Sequence, residues 1–250
     1  MSPVLVAASA YGASRVRQLG QSHFIDVVAD AGGAGIEIRR ELFTSDLPDL
    51  ALMGAAVAAR GLYCVYSTPI ELWDADGRLQ HELLRQMLDE AARLGARYLK
   101  VSLGHYPAAP DLPALKAQLE AEAAPVALLV ENDQTAHGGR LATMARFLAA
   151  ARELDLPVGL TFDIGNWRWV GEDAQQAARL LAPYVRYVHC KAVLDDGGRL
   201  SACAVSEADP AWRAVFAHFA PGVQRAIEFP LEGADLVAET ARYIQILEAA

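Results

Sequence analysis

Short apolar runs alternate with longer amphipathic stretches from one end of the chain to the other. Eight runs read as strands, at residues 4–8, 35–39, 63–67, 98–102, 127–131, 159–163, 185–191 and 226–229. The stretches between them carry apolar residues at helical spacing, framed by start and stop signals. A helix is predicted over 22–31, with Ser22 as N-cap and Gly32 as the stop. The next is capped by Asp46, holds Pro48 in its first turn and ends before Gly61. Further helices are predicted over 78–94, 111–123, 140–154 and 173–181, from about Pro210, and over 235–248.

Parallel strands joined by helices need cover on both faces. Eight such units close into a barrel whose interior side chains can fill. The pattern therefore predicts an α/β protein, a (β/α)8 TIM barrel, as a single domain over 1–250. No linker, low-complexity segment or break in composition suggests a second unit. The longest connection, 192–209, holds Asp195-Asp196-Gly197-Gly198 and is expected as a loop on the C-terminal face, where barrel active sites lie. The segment 9–21 is expected as a second loop on that face. Either has the length for a lid.

Composition narrows the function classes. Apolar residues make up 53% of the 250 positions and charged ones 21%, a globular balance. The net charge of −9 and the lack of a basic stripe argue against a nucleic-acid partner. Cys64, Cys190 and Cys203 show no CxxC spacing, so neither a disulfide framework nor a thiolate metal site is expected. No apolar run reaches the ~18 residues of a membrane span. The apolar start of the chain has no basic region before it and reads as a strand, so a cytoplasmic protein is expected.

The chemistry gathers at the ends of the later strands. Strand five ends in Glu131, strand six in Asp163, strand seven carries His189 and strand eight Glu228. Period two along a strand puts Leu129 and Glu131 on one side, and His189 and Lys191 on one side with Cys190 opposite. The same parity places Glu37 and Arg39 inside, with Ile36 and Ile38 toward the helices. Three carboxylates and an imidazole converging in a barrel mouth must either gain protons or recruit a cation. One divalent ion is expected as cofactor, Mn2+ or Mg2+ foremost, with Co2+ or Zn2+ compatible. Substrate-contacting candidates are Lys191, Arg39, Glu37, His105, His137 and Trp167, with Trp73 and Trp169 as further aromatic walls. Gly138-Gly139 reads as a turn and not as a phosphate loop, which favours an unphosphorylated substrate.

Val130-Glu131-Asn132, Phe162-Asp163-Ile164-Gly165-Asn166, Val188-His189-Cys190-Lys191 and Ile227-Glu228-Phe229 together resemble the xylose isomerase-like barrels. That superfamily includes sugar phosphate isomerases and ketose 3-epimerases, and the resemblance spans nearly the whole chain. It implies a metal held by Glu131, Asp163, His189 and Glu228. It also implies that Glu131 and Glu228 act as catalytic acid and base on opposite faces of the substrate carbon, through an enediolate. Such barrels leave room for a homodimer or homotetramer. Segments 20–26, 65–73 (Val65-Tyr66-Ser67-Thr68-Pro69-Ile70-Glu71-Leu72-Trp73) and Glu131-Asn132-Asp133-Gln134-Thr135 are also similar to the epimerase of 2-ketogluconate catabolism, which implies a sugar-acid substrate recognised through Arg39 or Lys191.

Two other readings share the superfamily. Dehydratases of keto-inositol or dehydroshikimate type begin with the same proton transfer, so ligands alone do not separate them from isomerases. Repair endonucleases of the superfamily hold three metals and need more histidines. This chain has six in all, and Asn166 stands where such an enzyme would place one.

Overall fold

A computed structural model describes residues 2–44, 47–121 and 126–250. In chain order its strands are β1 (Val4–Ala7), β2 (Gly35–Arg39), β3 (Tyr63–Trp73), β4 (Tyr98–Gly104), β5 (Ala127–Glu131), β6 (Val158–Asp163), β7 (Val185–Cys190), β8 (Ala192–Asp196), β9 (Arg199–Cys203) and β10 (Gln224–Ile227). Eight of them pair in parallel and close in the order β1-β10-β7-β6-β5-β4-β3-β2. The longer helices that follow the strands include α3 (Leu50–Ala59), α4 (His81–Arg93), α6 (Leu141–Glu153) and α10 (Leu236–Glu248). The architecture is the expected (β/α)8 barrel. No helix among the described residues is long and apolar enough to cross a membrane.

Strand parity divides the core in two. Ile36, Ile38, Val130, Phe162, Val188, Cys190 and Ile227 face outward into the large layer beneath the helices. Leu5, Val65, Leu129, Tyr187 and Ala226 face inward and form a separate apolar floor, with Tyr98 packed against it. Two residues further along each strand the inward positions change character. Val65 is followed by Ser67, Tyr98 by Lys100, Leu129 by Glu131, Tyr187 by His189 and Ala226 by Glu228. The barrel is thus an apolar plug topped by a layer of ionisable groups, and that layer sits at the C-terminal ends of the strands.

Several local expectations need correction. The segment 192–209 is not a plain loop: β8 and β9 form an antiparallel hairpin in register Ala192↔Cys203 to Asp196↔Arg199. Its turn is Gly197-Gly198, with φ of 61° and 91°, the left-handed pair that a two-residue hairpin turn requires. Segment 9–21 likewise contains a short 3-10 turn and a helix, α1 (Ala13–Leu19). Helix α2 (His23–Asp30) begins after Ser22, whose side chain makes no capping hydrogen bond. The cap of α3 is Asp49, whose Oδ1 accepts from the amides of Ala51 and Leu52 at 3.0 and 3.1 Å. Asp46 lies outside the described residues. Helix α4 starts later than 78 because Asp74 holds a turn there, accepting from the amides of Asp76 and Arg78. Strand β3 runs on past Ser67 to Trp73 through an irregularity in its pairing with β4.

The floor carries a prediction. Leu129 is 1% exposed, with neighbours on all sides. Leu129→Ala should cost about 2–5 kcal/mol, as burial lost and cavity left behind add together. Urea unfolding followed by circular dichroism measures this; a loss below ~1 kcal/mol would mean that the interior is not a packed plug.

Candidate active site

The ends of β2, β5 and β6, which present Glu37, Glu131 and Asp163, are fixed beyond their own ladders. Asn132, fully buried, continues the β5–β6 pairing with its side chain: Oδ1 accepts from the Asp163 amide at 2.8 Å, and Nδ2 donates to the Asp163 carbonyl at 3.0 Å. Asn166 donates from its own Nδ2 to the Asn132 carbonyl at 2.9 Å. Gln21 does the same for β2, accepting from the Arg39 amide and donating to the Arg39 carbonyl, both at 2.8 Å. These amide side chains satisfy backbone groups that would otherwise be orphaned where the strands stop.

The carboxylates share one design. Each has one oxygen held by the protein and one aimed at the ring of His189 or the space before it. Glu131 Oε2 is paired with the Lys100 ammonium, while Oε1 lies 2.8 Å from His189 Nδ1. Glu228 Oε1 accepts from Arg39 at 2.7 Å, and its Oε2 lies 3.1 Å from the same Nδ1. Asp163 Oδ1 accepts from the amides of Gly165 and Asn166 at 2.9 Å each, and Oδ2 lies 3.7 Å from Nδ1. Glu37 stands on the other side of the ring: its Oε2 is 2.7 Å from His189 Nε2, and its Oε1 accepts from Arg39 at 3.0 Å. Tyr187 packs edge-on beneath the imidazole, with ring centroids 5.1 Å apart.

Glu131 Oε1, Asp163 Oδ2 and His189 Nδ1 are all buried, and none has a hydrogen-bond partner of good geometry. Orphaned buried polar atoms are costly. Two of them, Glu131 Oε1 and His189 Nδ1, have no other charged group of the described residues beside them than each other, Asp163 and Glu228, and with Asp163 Oδ2 and Glu228 Oε2 they converge inside 4.8 Å, a set that fits a cation. Glu37 completes the fit. By accepting at Nε2 it fixes the tautomer that turns the Nδ1 lone pair toward the carboxylates, the usual second contact of a metal-bound histidine. Lys191 Nζ lies 2.7 Å from Asp163 Oδ2 and 2.8 Å from Glu228 Oε2, so an ion would share these oxygens with an ammonium.

Electrostatics agree with geometry. Burial alone would raise the Glu131 carboxyl, but Lys100 and His189 hold it at about 2. Glu37 is held at about 2 against burial by His189 and Lys100, and Glu228 lies well below the usual carboxylate range. Asp163 moves the other way, raised by burial and by the neighbouring Glu228 and Glu131 charges. His189 is pushed well above its ordinary value, because the pull of Glu228, Glu37 and Glu131 overcomes the burial that favours the neutral ring. With Glu41, which pairs with Arg39 at 2.8 Å, five carboxylates face the three cations Arg39, Lys100 and Lys191, leaving two negative charges for a proton on His189 or for an added ion to meet.

The structure brings Glu131, Asp163, His189, Glu228, Glu37, Arg39 and Lys191 into one cluster. His105 and His137 lie on the rim beside Glu71, as a group of their own. Trp167 is fully buried against Phe162 and lines a cavity of about 420 Å³ with Arg168, Trp212 and Val193; of the cluster, only Lys191 reaches that cavity. Trp73 is a core residue, edge-on to Tyr106 and Phe147. Cys64 and Cys190 are free, and burial pushes both thiols up to about 12, so neither is a thiolate. Sequence reasoning missed Lys100, which is 2% exposed. A lone lysine inside an apolar strand, at inward parity with Tyr98 and Ser102, was the available signal.

Residues 25–222 match the family model described as xylose isomerase-like TIM barrel. No curated protein matches the chain. Among solved structures the fold is similar to L-ribulose 3-epimerase, at 18% identity and TM-score 0.69 over 100% of this chain and 95% of that one. It is also similar to D-psicose 3-epimerase from Clostridium cellulolyticum H10, at 13% identity and TM-score 0.67 over 100% and 98%. A third similar structure is the probable 3-DHS dehydratase of petrobactin synthesis from Bacillus anthracis, at 13% identity and TM-score 0.66 over 98% of each chain. At these identities the likeness is one of fold.

Proton and ion compete for His189, and the sign follows from its raised pKa. A cationic His189 must lose its proton to ligate, so metal affinity should rise with pH, about tenfold per unit if one proton is released. Calorimetric titration with Mn2+ in buffers of different ionisation enthalpy counts that proton. Binding without proton release, or undiminished binding in His189→Gln, would remove His189 from the ligand set.

Proposed function

The chain belongs to the xylose isomerase-like TIM barrel family, and on that premise we propose that it is a divalent-metal-dependent isomerase or epimerase of a small sugar or sugar acid. Its reaction is proton abstraction next to a carbonyl, passing through an enediolate. One observation carries this reading: the carboxylates of Glu131, Asp163 and Glu228 each keep one oxygen fixed and direct the other at the Nδ1 edge of His189, where buried atoms lack partners.

Glu131, Asp163, His189 and Glu228 would hold the ion. When bound, it supplies Lewis-acid stabilisation of the negative charge that develops on the carbonyl oxygen. The chain's own groups set the rest. Lys100, paired with Oε2, keeps Glu131 ionised and so able to accept a proton, but a carboxylate is a weak base. It therefore suits only a carbon acid that is already activated, such as a C–H beside a polarised carbonyl. Glu228 enters from β10, on the far side of β6 and β7 from β5, and the two carboxylates can serve opposite faces of a carbon held between them. Glu37 keeps the imidazole oriented, and the apolar floor under it excludes water from below.

A sugar acid is compatible with the charge. With a dication in place the carboxylates of the cluster, Glu41 included, are balanced, and Lys191 and Arg39 present cations at its edge that can pair with a substrate carboxylate. Neighbours of the same fold act as ketose 3-epimerases by name, and one is a probable dehydratase.

Proton exchange in D2O, followed by NMR with Mg2+ present, tests the reading on a panel of ketoses, ketogluconates and hydroxypyruvate. Deuterium should enter next to the carbonyl as an epimer or isomer appears. Glu131→Gln and Glu228→Gln should each lower the rate by about 10²–10⁴-fold. Deuterium with loss of water would replace the isomerase reading by a dehydratase. Full activity after chelation, or in Glu131→Gln, would refute the mechanism.

A further inference from the structure

A second group of ligand-type side chains stands on the same barrel face and takes no part in the reaction above. Glu71 lies near the end of β3, His105 just past β4 and His137 in the turn after β5. One donor atom from each lies within 4.8 Å of the others. We propose that Glu71, His105 and His137 form a second metal site, a two-histidine-one-carboxylate site for a zinc-class ion with a position left open for an oxygen ligand.

The donor set supports this first. Two imidazoles and one carboxylate suit Zn2+, Co2+ or Ni2+, and three protein ligands with an open position make the usual catalytic arrangement for zinc. The main cluster, with three carboxylates and one imidazole, is a harder, oxygen-rich set. The two sites share no residue and differ in the ion they favour.

Geometry supports it next. His137 Nε2 lies 2.8 Å from Glu71 Oε1, and His105 Nε2 lies 4.0 Å from Glu71 Oε2. The two rings are stacked, 3.7 Å between centroids and 13° between planes; because an imidazole ligates in its own plane, one ring has to turn out of this stack for both nitrogens to meet a single ion. The His137 contact is a hydrogen bond, whereas the His105 contact is too long to be one. A hydrogen bond alone therefore does not explain why the second imidazole is there. Three donors around a zinc-class ion at 2.0–2.1 Å stand roughly 3.3 Å apart, so a contraction of about 1 Å closes the set. The side chains are 29–37% exposed, which leaves them free to make that adjustment and open to an outside ligand.

The backbone beneath is fixed. Glu71 pairs with Ser102 in the β3–β4 ladder, and its carbonyl accepts from Gln80 Nε2 at 2.7 Å. Gly104 faces it at φ +73°, where an added Cβ would stand 2.6 Å from the Glu71 Cβ and 3.2 Å from Oε2. The glycine makes the room in which the carboxylate sits. The His105 amide donates to the Trp73 carbonyl at 3.0 Å. The turn that carries His137 is built by Asp133, whose Oδ1 accepts from the Thr135 amide and hydroxyl at 2.8 and 2.6 Å. The Thr135 hydroxyl in turn accepts from the Gly138 amide at 3.0 Å.

Position gives the site a use. Ser102 pairs with Glu71 on one side and Glu131 on the other, so their backbones are two strand spacings apart, roughly 10 Å. That is the span of a small sugar acid. An ion on the rim would take an oxygen at the end of the substrate far from the reacting carbon.

The test is a Co2+ titration of the full chain after chelator treatment, read by elemental analysis and by visible d–d absorption. His189→Gln takes the only imidazole from the main site and leaves it oxygen donors alone, so failure of the main-site reading and failure of this one are separable. The His189→Gln protein should still bind one equivalent with d–d absorption. Adding Glu71→Gln, His105→Asn or His137→Asn to it should weaken that equivalent by roughly 10–100-fold or more, with unchanged circular dichroism. Absence of a Co2+ equivalent in folded His189→Gln protein would overturn the proposal. So would an equivalent that survives all three substitutions, since it would then lie elsewhere than on Glu71, His105 and His137.

Discussion

Concentrating carboxylates at the mouth of a barrel is electrostatically costly, and much of this structure manages that cost. Glu37, Glu131, Asp163 and Glu228 stand within reach of one imidazole, in a place where water screens little. The protein divides each carboxylate between two tasks. One oxygen is neutralised by Lys100, by Arg39 or by a pair of backbone amides; the other turns toward His189, with Lys191 beside those of Asp163 and Glu228 and with Glu37 spending its own on the ring's Nε2. The apolar floor of Leu5, Val65, Leu129, Tyr187 and Ala226 supports the arrangement, because Leu129, Tyr187 and Ala226 fix the parity that points Glu131, His189 and Glu228 inward.

Much of this was legible in the sequence. The order of eight apolar runs gave the barrel, and period two gave the inward face. Leu129 with Glu131, and Ile36 and Ile38 opposite Glu37, therefore stand where parity put them. What parity could not give was a partner. Lys100 looks like an accident in an apolar strand until β4 is set beside β5, where it meets Glu131. The pairing irregularity between Ser67 and Glu71 inserts two extra residues into β3, so Glu71 keeps the parity of Ser67; what the sequence did not announce is that the strand runs on past 67 to carry it there.

Other misses have a different physical origin. Hairpin β8–β9 is largely solvent-exposed, so it lacks the apolar alternation that marks a half-buried strand; only its Gly197-Gly198 turn signalled it. Helix α1 buries a single residue, Val16, and carries no amphipathic stripe. Trp167 shows the reverse error. An aromatic ring near a strand end suggests a sugar wall, yet this one packs into the core against Phe162. Asn166 reads as a histidine lost from a metal-rich relative, whereas here it serves as a backbone tie to Asn132.

Asn132 and Gln21 have a wider significance. Each makes both hydrogen bonds that one more strand residue would have made, so the ladder is closed by a side chain before the loop begins. The reacting layer is then mechanically insulated from whatever follows it. A loop beyond such a closure can lengthen, shorten or be exchanged while Asp163 and Arg39 keep their places. This separates the parts of the barrel that must stay still from those that are free to diverge, and it lets one scaffold accept new substrates without rebuilding its centre.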